Sequence, residues 1–223
     1  FYLDAIEQTQ IPTVGGWNYA RPEGRDTEAS PSSFMTAATV QTLLAAKAAG
    51  REVNAKTLDK ALAFLEKTRY PSGSVAYAGV VPEGRQPRGT SDAVPGAVGR
   101  MCIVEGTLLM AGRGSVRDVR GALDAFFNHW QWLYLRSQKT GTHVPPYMIA
   151  PYYFMFAHRY AAQCVELLPA SEREEYRRRF RLLLWQSRQA DGSWNDRVFP
   201  RSSAYGTAMA MLALMEPGAG VKK

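Results

Sequence analysis

Apolar residues recur at helical spacing along nearly the whole chain. Leu58, Leu62 and Leu65, for example, are separated by four and three residues, so a helix would place all three on one face. The same spacing predicts an all-α fold. The predicted helices cover Phe1–Gln10 as the end of a longer helix, then Phe34–Ala49, Ala55–Arg69, Ala93–Ala111, Val116–Arg136, Pro151–Leu168, Glu172–Arg188 and Ala204–Met215.

Residues suited to capping precede several of these segments. Asn54 and Asp92 stand directly before helical patterns, where a short polar side chain can accept hydrogen bonds from the first free N–H groups. Ser115 with Asp118, and Ser171 three residues before an acidic residue, have the spacing of a capping box. We therefore expect helices to start at these four positions.

The predicted helices alternate in character. Those beginning at Phe34, Ala93, Pro151 and Ala204 are rich in Ala, Met and aromatic residues, whereas the three between them carry a charged side. A helix that is apolar nearly all round needs cover on most sides, and an amphipathic helix has one face for solvent. The pattern predicts an inner set of helices and an outer set.

A short motif recurs after the outer helices. Gln189 is followed by Gly192 and Trp194, and the chain opens with a similar run that ends at Trp17. Two weaker copies have Val75 and His143 in the Trp position, and in the first of these Arg69 takes the Gln position. The glycines of the four copies, Gly16, Gly73, Gly141 and Gly192, are 57, 68 and 51 residues apart. Such a period indicates a helical-repeat protein.

These residues resemble the Gln-Trp repeat of squalene and oxidosqualene cyclases and of the prenyltransferase β subunits. The resemblance implies one α/α-toroid domain over residues 1–223, either closed or a partial, open toroid of repeated helical hairpins. Phe1 falls inside a repeat, so we expect the domain to be incomplete at its N-terminus. In that family the motif residues stabilise the joints between repeats. The resemblance thus implies a structural role for Trp17, Gly73, Gln189, Gly192 and Trp194.

The residues that carry the family's reactions are absent from this sequence. The cyclases start their reaction with an acid in an Asp-x-Asp-Asp motif, which does not occur here. The prenyltransferases hold zinc through a Cys two residues after an Asp, but Val94 takes that position after Asp92. The related thioester domains need a Cys-Gly-Glu-Gln run that is also missing. We expect no metal, no cofactor and no ordinary cyclase activity.

Composition and charge limit the partners. The net charge of +7 and the pI near 9.5 permit an anionic partner, such as nucleic acid, an acidic glycan or lipid headgroups. Much of the excess lies in the helix after Ser171, where Arg and Glu alternate as on a solvated outer face, so we expect no nucleic acid. No apolar run is long enough for a transmembrane segment, and no targeting segment is visible, so the localisation stays open. Cys102 and Cys164 are either two buried thiols or a disulfide between neighbouring helices.

Two sets of residues are candidates for a site. His158 interrupts the most apolar helix and Glu105 lies on an apolar stripe, so the two could form an acid/base pair if their helices pack side by side. Tyrosines near helix starts could enclose a ligand. The candidate ligand-binding residues are Tyr147, Tyr152, Tyr153, Tyr205 and Asp92.

Three functions fit these observations. The first is an apolar cavity lined by tyrosines that binds an isoprenoid or another apolar small molecule, which the resemblance suggests. The second is a glycan- or peptide-binding module that uses its concave face, suggested by the basic charge and by two long polar loops, 11–33 and 72–91. The third is a structural scaffold without a ligand.

Overall fold

The computed structural model describes residues 1–19, 23–150, 153–196 and 202–216. This part of the chain contains eight helices and no strand beyond isolated bridges, which confirms the all-α prediction. The helices are α1 (Tyr2–Gln8), α2 (Ser33–Ala48), α3 (Ala55–Glu66), α4 (Val94–Met110), α5 (Val116–Ser137), α6 (Tyr153–Leu167), α7 (Ala170–Gln186) and α8 (Ser203–Met215).

The even-numbered helices pack against one another in chain order. Helix α2 contacts α4, α4 contacts α6 and α6 contacts α8, while α3, α5 and α7 lie beside them. Helix α4 is at the centre of the core, and it is buried from Gly96 to Leu108. Its small residues make this packing possible, because a Cβ on Gly99 would lie only 2.7 Å from the side chain of Tyr153 on α6. The arrangement of these helices as a closed or open toroid stays a prediction.

The capping predictions succeed at two positions and fail at two. Asn54 accepts hydrogen bonds from the N–H groups of Lys56 and Thr57, and Ser115 accepts one from Asp118, so these two residues cap α3 and α5 as predicted. The prediction for Ser171 is wrong, because α7 begins one residue earlier, at Ala170, with Pro169 before it. The prediction for Asp92 is also wrong, because the carboxylate of that residue binds a buried arginine instead.

Three of the odd-numbered helices end with the same local contact. The hydroxyl groups of Thr68, Ser137 and Ser187 each donate to the carbonyl oxygen three residues earlier, whereas that of Thr9 lies closer to the carbonyl of Ala5, four residues earlier. This bond satisfies one carbonyl of the last helical turn, which has no partner within the helix. The ends of α3, α5 and α7 are therefore locally alike, and each lies just before a copy of the sequence motif.

Trp17 and Trp194 make matching contacts at opposite ends of the chain. The indole N–H of Trp17 donates to the carbonyl of Ile6 at 2.9 Å, and that of Trp194 donates to the carbonyl of Leu184 at 2.9 Å. Their backbone N–H groups donate to Thr36 and to a threonine of α8. Both tryptophans are buried. Each ties the end of an odd-numbered helix to the next even-numbered helix.

The turns before Val75 and Trp194 also match. In the turn before Trp194, the N–H of Gln189 donates to the carbonyl of Ser193. In the turn before Val75, the N–H of Tyr70 donates to the carbonyl of Ser74. By hydrogen bonding, Tyr70 rather than Arg69 is the counterpart of Gln189. Gly73 and Gly192 have φ of 81° and 89°, a left-handed conformation that favours glycine over residues with a side chain.

Helix α8 is less covered than the other even-numbered helices. Only Gly206, Ala210 and Ala213 are buried on it, and Met211 and Met215 are largely exposed. The sequence predicts that α8 belongs to the inner helices, but in the structure one side of this helix is exposed. None of the helices in the described ranges combines the length and hydropathy needed to cross a membrane. Cys102 and Cys164 are both free, buried thiols, and the Cys164 thiol donates to the Cys102 carbonyl.

Candidate functional site

A cleft of about 650 Å³ opens between the end of α3, the loop that follows it, α4 and the first half of α5. Its volume is in the range of sites for small molecules. Val94, Met101, Ala122 and Ala125 give it an apolar floor. The walls are polar, and they carry both acidic and basic side chains. The polar residues that line the cleft are Glu66, Lys67, Arg69, Tyr70, Ser72, Glu83, Glu105, Arg117 and Asp118.

Glu105 is the deepest charged group of the cleft. It lies in the middle of α4 on the apolar stripe that the sequence predicted, and its side chain is only 4% exposed. Its Oε1 accepts a hydrogen bond of 3.0 Å from Nε of Arg69. Its Oε2 is buried and has no hydrogen-bond partner among the described residues. A buried polar atom without a partner is costly, so a hydrogen bond to this oxygen would be favourable for any group that reaches it.

Arg69 joins two carboxylates from different helices. Beside its bond to Glu105 on α4, its Nη2 lies 2.8 Å from Oδ2 of Asp118 on α5. The carboxylate of Asp118 in turn accepts a hydrogen bond from the hydroxyl of Ser115. The backbone N–H of Asp118 donates to the same hydroxyl, so Ser115 caps the start of α5. The guanidinium is held between the two acids, because its planar group of donors can bind both at once. The triad fixes one wall of the cleft.

The environments of the two carboxylates shift their pKa values in opposite directions. Burial raises the pKa of Glu105 to about 7, with Arg69 opposing the shift and the charge of Asp118 adding to it. Partial burial alone would raise the pKa of Asp118, but hydrogen bonds from Ser115 and the charge of Arg69 outweigh it and lower the pKa. Near neutral pH, Glu105 can therefore exchange a proton while Asp118 stays ionised.

His158 does not join Glu105 in the structure. The side chain is fully buried, its Nδ1 lies 2.7 Å from the carbonyl oxygen of Phe154, and its Nε2 accepts a hydrogen bond from the indole of Trp130. Both ring nitrogens are thus occupied by core residues, and burial lowers the pKa of His158 to about 4. The histidine is neutral and does not line the cleft. The proposed acid/base pair is not formed as a hydrogen-bonded contact.

The predicted tyrosines are dispersed. Tyr153 is buried against Phe34 and Phe156, and Tyr147 packs on Trp132. Tyr205 is 41% exposed on α8, where burial of its hydroxyl raises the pKa. None of these three lines the cleft. Tyr152 lies outside the described residues.

Asp92 is held by other groups of the protein. Its carboxylate receives hydrogen bonds from Arg100 at 2.6 Å, from the backbone N–H of Tyr77 and from the hydroxyl of Tyr70. The buried Arg100 accounts for this position, because a guanidinium inside the core needs a counter-ion. Asp92 borders a second, smaller cleft of about 200 Å³, but its oxygens already have partners there.

Sequence reasoning found Glu105 but missed Arg69 and Asp118 as members of the site. Asp118 had been assigned to a capping box, which it does form, and Arg69 had been assigned to a repeat position. The described residues contain no group of three or more His, Cys, Asp or Glu side chains that could hold a metal ion.

No protein-family model matches the sequence, and no curated protein is significantly similar to it. The described part of the chain is thus an all-helical fold with a partly polar cleft, whose deepest charged group is a titratable carboxyl.

Proposed function

We propose that the chain is a helical-repeat domain related to the squalene cyclases and prenyltransferase β subunits, and that it binds a glycan in the Glu105 cleft. Two kinds of contact support the helical repeat. The hydroxyl bonds that end α3, α5 and α7 are alike, and Trp17 and Trp194 make matching bonds at the joints after α1 and α7. Such joints are the role that the Gln-Trp resemblance implies.

The observation that carries the glycan proposal is the unpartnered Oε2 of Glu105 beside the donors of Arg69. A sugar offers neighbouring hydroxyl groups, each of which donates and accepts hydrogen bonds. One hydroxyl can donate to Glu105 while the next accepts from a free N–H of the Arg69 guanidinium. The apolar floor then faces the C–H groups of the sugar ring, with Tyr70 at the edge.

The polar walls also favour a glycan over a purely apolar ligand. An isoprenoid in this cleft would leave the buried Oε2 of Glu105 without a hydrogen bond, whereas a hydroxyl group that donates to it would relieve a cost of about 1–3 kcal/mol. The tyrosines Tyr147, Tyr153 and Tyr205, expected to line an apolar cavity, lie elsewhere. The glycan-binding hypothesis is therefore the better supported of the two ligand hypotheses.

Titration of the protein with a panel of oligosaccharides, followed by calorimetry, tests the proposal. We expect at least one class of oligosaccharide to bind, and we expect Glu105→Gln to weaken that binding about tenfold, because the acceptor is replaced by an amide that can present a donor. Glu52→Gln is the matched control, since Glu52 is exposed and does not line the cleft. If no oligosaccharide binds at millimolar concentration, the proposal is wrong.

The apolar-ligand hypothesis stays a second candidate because of the floor formed by Val94, Met101, Ala122 and Ala125. Incubation with squalene or prenyl diphosphates, followed by mass spectrometry, tests whether the protein binds such a ligand and whether it converts the ligand. Retention of the unchanged lipid by the protein would support binding. A cyclised or transferred product would contradict the expectation that ordinary cyclase activity is absent.

A further inference from the structure

The two cysteines of the chain lie next to each other across the packed helices α4 and α6. Cys102 belongs to α4 and Cys164 belongs to α6, and both side chains are buried. The thiol of Cys164 donates to the carbonyl oxygen of Cys102, with Sγ and the oxygen 3.0 Å apart. Because the carbonyl oxygen and the thiol of one residue are separated by only a few bonds, the two sulfur atoms are neighbours.

Glycines bring the backbones of α4 and α6 close together at this point. A Cβ on Gly99 would lie 2.7 Å from the side chain of Tyr153, and a Cβ on Gly106 would lie 3.0 Å from Sγ of Cys164. The two glycines stand about one helical turn before and after Cys102. A disulfide requires two Cα atoms about 4.4–6.8 Å apart, which facing helices reach only where they pack this closely.

The surroundings of the thiols make their oxidation slow in the folded protein. Interaction with the side chain of Cys102 raises the pKa of the Cys164 thiol well above its ordinary value, and burial adds to the shift. The thiolate is the reactive form, so a buried thiol with a raised pKa reacts slowly. A disulfide formed while the chain folds would be protected in the same way, because a reductant would have to reach the same buried sulfur atoms.

We propose that Cys102 and Cys164 are a site of reversible oxidation, at which a disulfide ties α4 to α6. A small disulfide such as oxidised glutathione is the oxidant. The thiolate of one cysteine attacks it and releases one glutathione thiolate, and the thiolate of the other cysteine then displaces the second. The two protein thiols lose two protons and two electrons, and one glutathione disulfide becomes two glutathione thiols.

The disulfide would stabilise the fold by acting on the unfolded chain. It would link two residues that are 62 positions apart, and closing a long loop lowers the entropy of the unfolded state. The bond would also attach the helix that carries Glu105 to its neighbour α6. Neither cysteine lines the Glu105 cleft, so the proposal does not depend on glycan binding.

Equilibration of the protein with oxidised and reduced glutathione, in native buffer and in urea, tests the proposal. The chain has only two cysteines, so thiol titration and mass spectrometry identify the intramolecular bond directly. We expect the equilibrium constant for its formation to be about 100-fold larger in native buffer, because the fold already holds the sulfur atoms together. The oxidised protein should then unfold about 5–10 °C above the reduced protein.

Cys102→Ser and Cys164→Ser are the matched controls, since each keeps one thiol and cannot form the bond. Their unfolding temperatures should not respond to the ratio of oxidised to reduced glutathione. An equilibrium constant no larger in native buffer than in urea would overturn the inference, as would an oxidised protein that unfolds at a lower temperature than the reduced one. Oxidation that yields only linked dimers or adducts with glutathione would also overturn it. The comparison of oxidised with reduced wild type needs no substitution, so it holds even if a serine variant fails to fold.

Discussion

At the scale of single residues, Glu105 makes the protein's stability depend on pH. Its pKa rises from 4.5 to about 7 on folding. A carboxyl with a raised pKa favours the folded state below its unfolded pKa, and this contribution is lost as the pH rises through the folded pKa. We therefore predict that Glu105 lowers the free energy of unfolding by about 3 kcal/mol between pH 4.5 and pH 7.5.

Urea unfolding of the wild type and of Glu105→Gln at both pH values measures this contribution. Other groups titrate in the same range, among them Asp196, whose pKa is raised to about 6 by burial. The difference between the two proteins removes those shared contributions. If the variant has the same pH dependence as the wild type, Glu105 is not the titrating group.

His158 is predicted to be a core residue rather than a catalytic one. It fills space between Phe154 and Trp130, and it is the hydrogen-bond acceptor of the indole. We expect His158→Ala to lower the free energy of unfolding by about 2–5 kcal/mol, because it leaves both a cavity and an unpaired indole N–H. Urea unfolding measures this loss. Reduced oligosaccharide affinity in a variant that remains fully folded would instead return His158 to the site.

At the scale of helices, the starts of α3 and α7 give a matched pair of predictions. Asn54→Ala should cost about 1 kcal/mol, because the side chain accepts two backbone N–H groups. Ser171→Ala should change stability by less than about 0.5 kcal/mol, because Ser171 is exposed inside α7 and caps nothing. Chemical denaturation of both variants checks the pair, and equal losses would contradict the assigned helix start.

The tryptophan joints make a stronger prediction at the same scale. Trp194→Ala and Trp17→Ala should each cost about 3–5 kcal/mol, since both remove a buried indole and a bond between consecutive helices. Tyr2→Ala is a suitable control, because Tyr2 is 81% exposed. The two tryptophans are equivalent only if their losses are similar. A loss below about 0.5 kcal/mol at either position would mean that it is not a joint.

Helix positions could be predicted well because they depend on local spacing, and errors arose where distant groups compete. The segments around Leu58 and Leu62 follow the three-four rule, so their burial is visible in the sequence. Asp92 has the right residue type and position for a cap, yet Arg100, buried in the next helical turns, binds it more strongly. Only the folded chain shows that competition.

At the scale of the whole molecule, the site illustrates the same limit. Glu105, Arg69 and Asp118 belong to α4, the loop after α3 and α5, and no motif links them in the sequence. Their meeting depends on how three helices pack, which periodicity does not determine. The apolar stripe did mark Glu105 as unusual. A charge on a buried face is thus a useful sequence signal, but its partners must be found in three dimensions.

The net charge of the whole chain leads to a prediction about binding kinetics. A field from +7 charges should attract an acidic oligosaccharide before any contact forms, so salt should act mainly on the association rate. We expect this rate to fall by about tenfold between low and physiological ionic strength, while the association rate of a neutral oligosaccharide is unaffected. Stopped-flow measurements of both sugars check this. If salt instead changes only the dissociation rate, short-range contacts determine any preference for the acidic sugar, and the overall charge has no part in it.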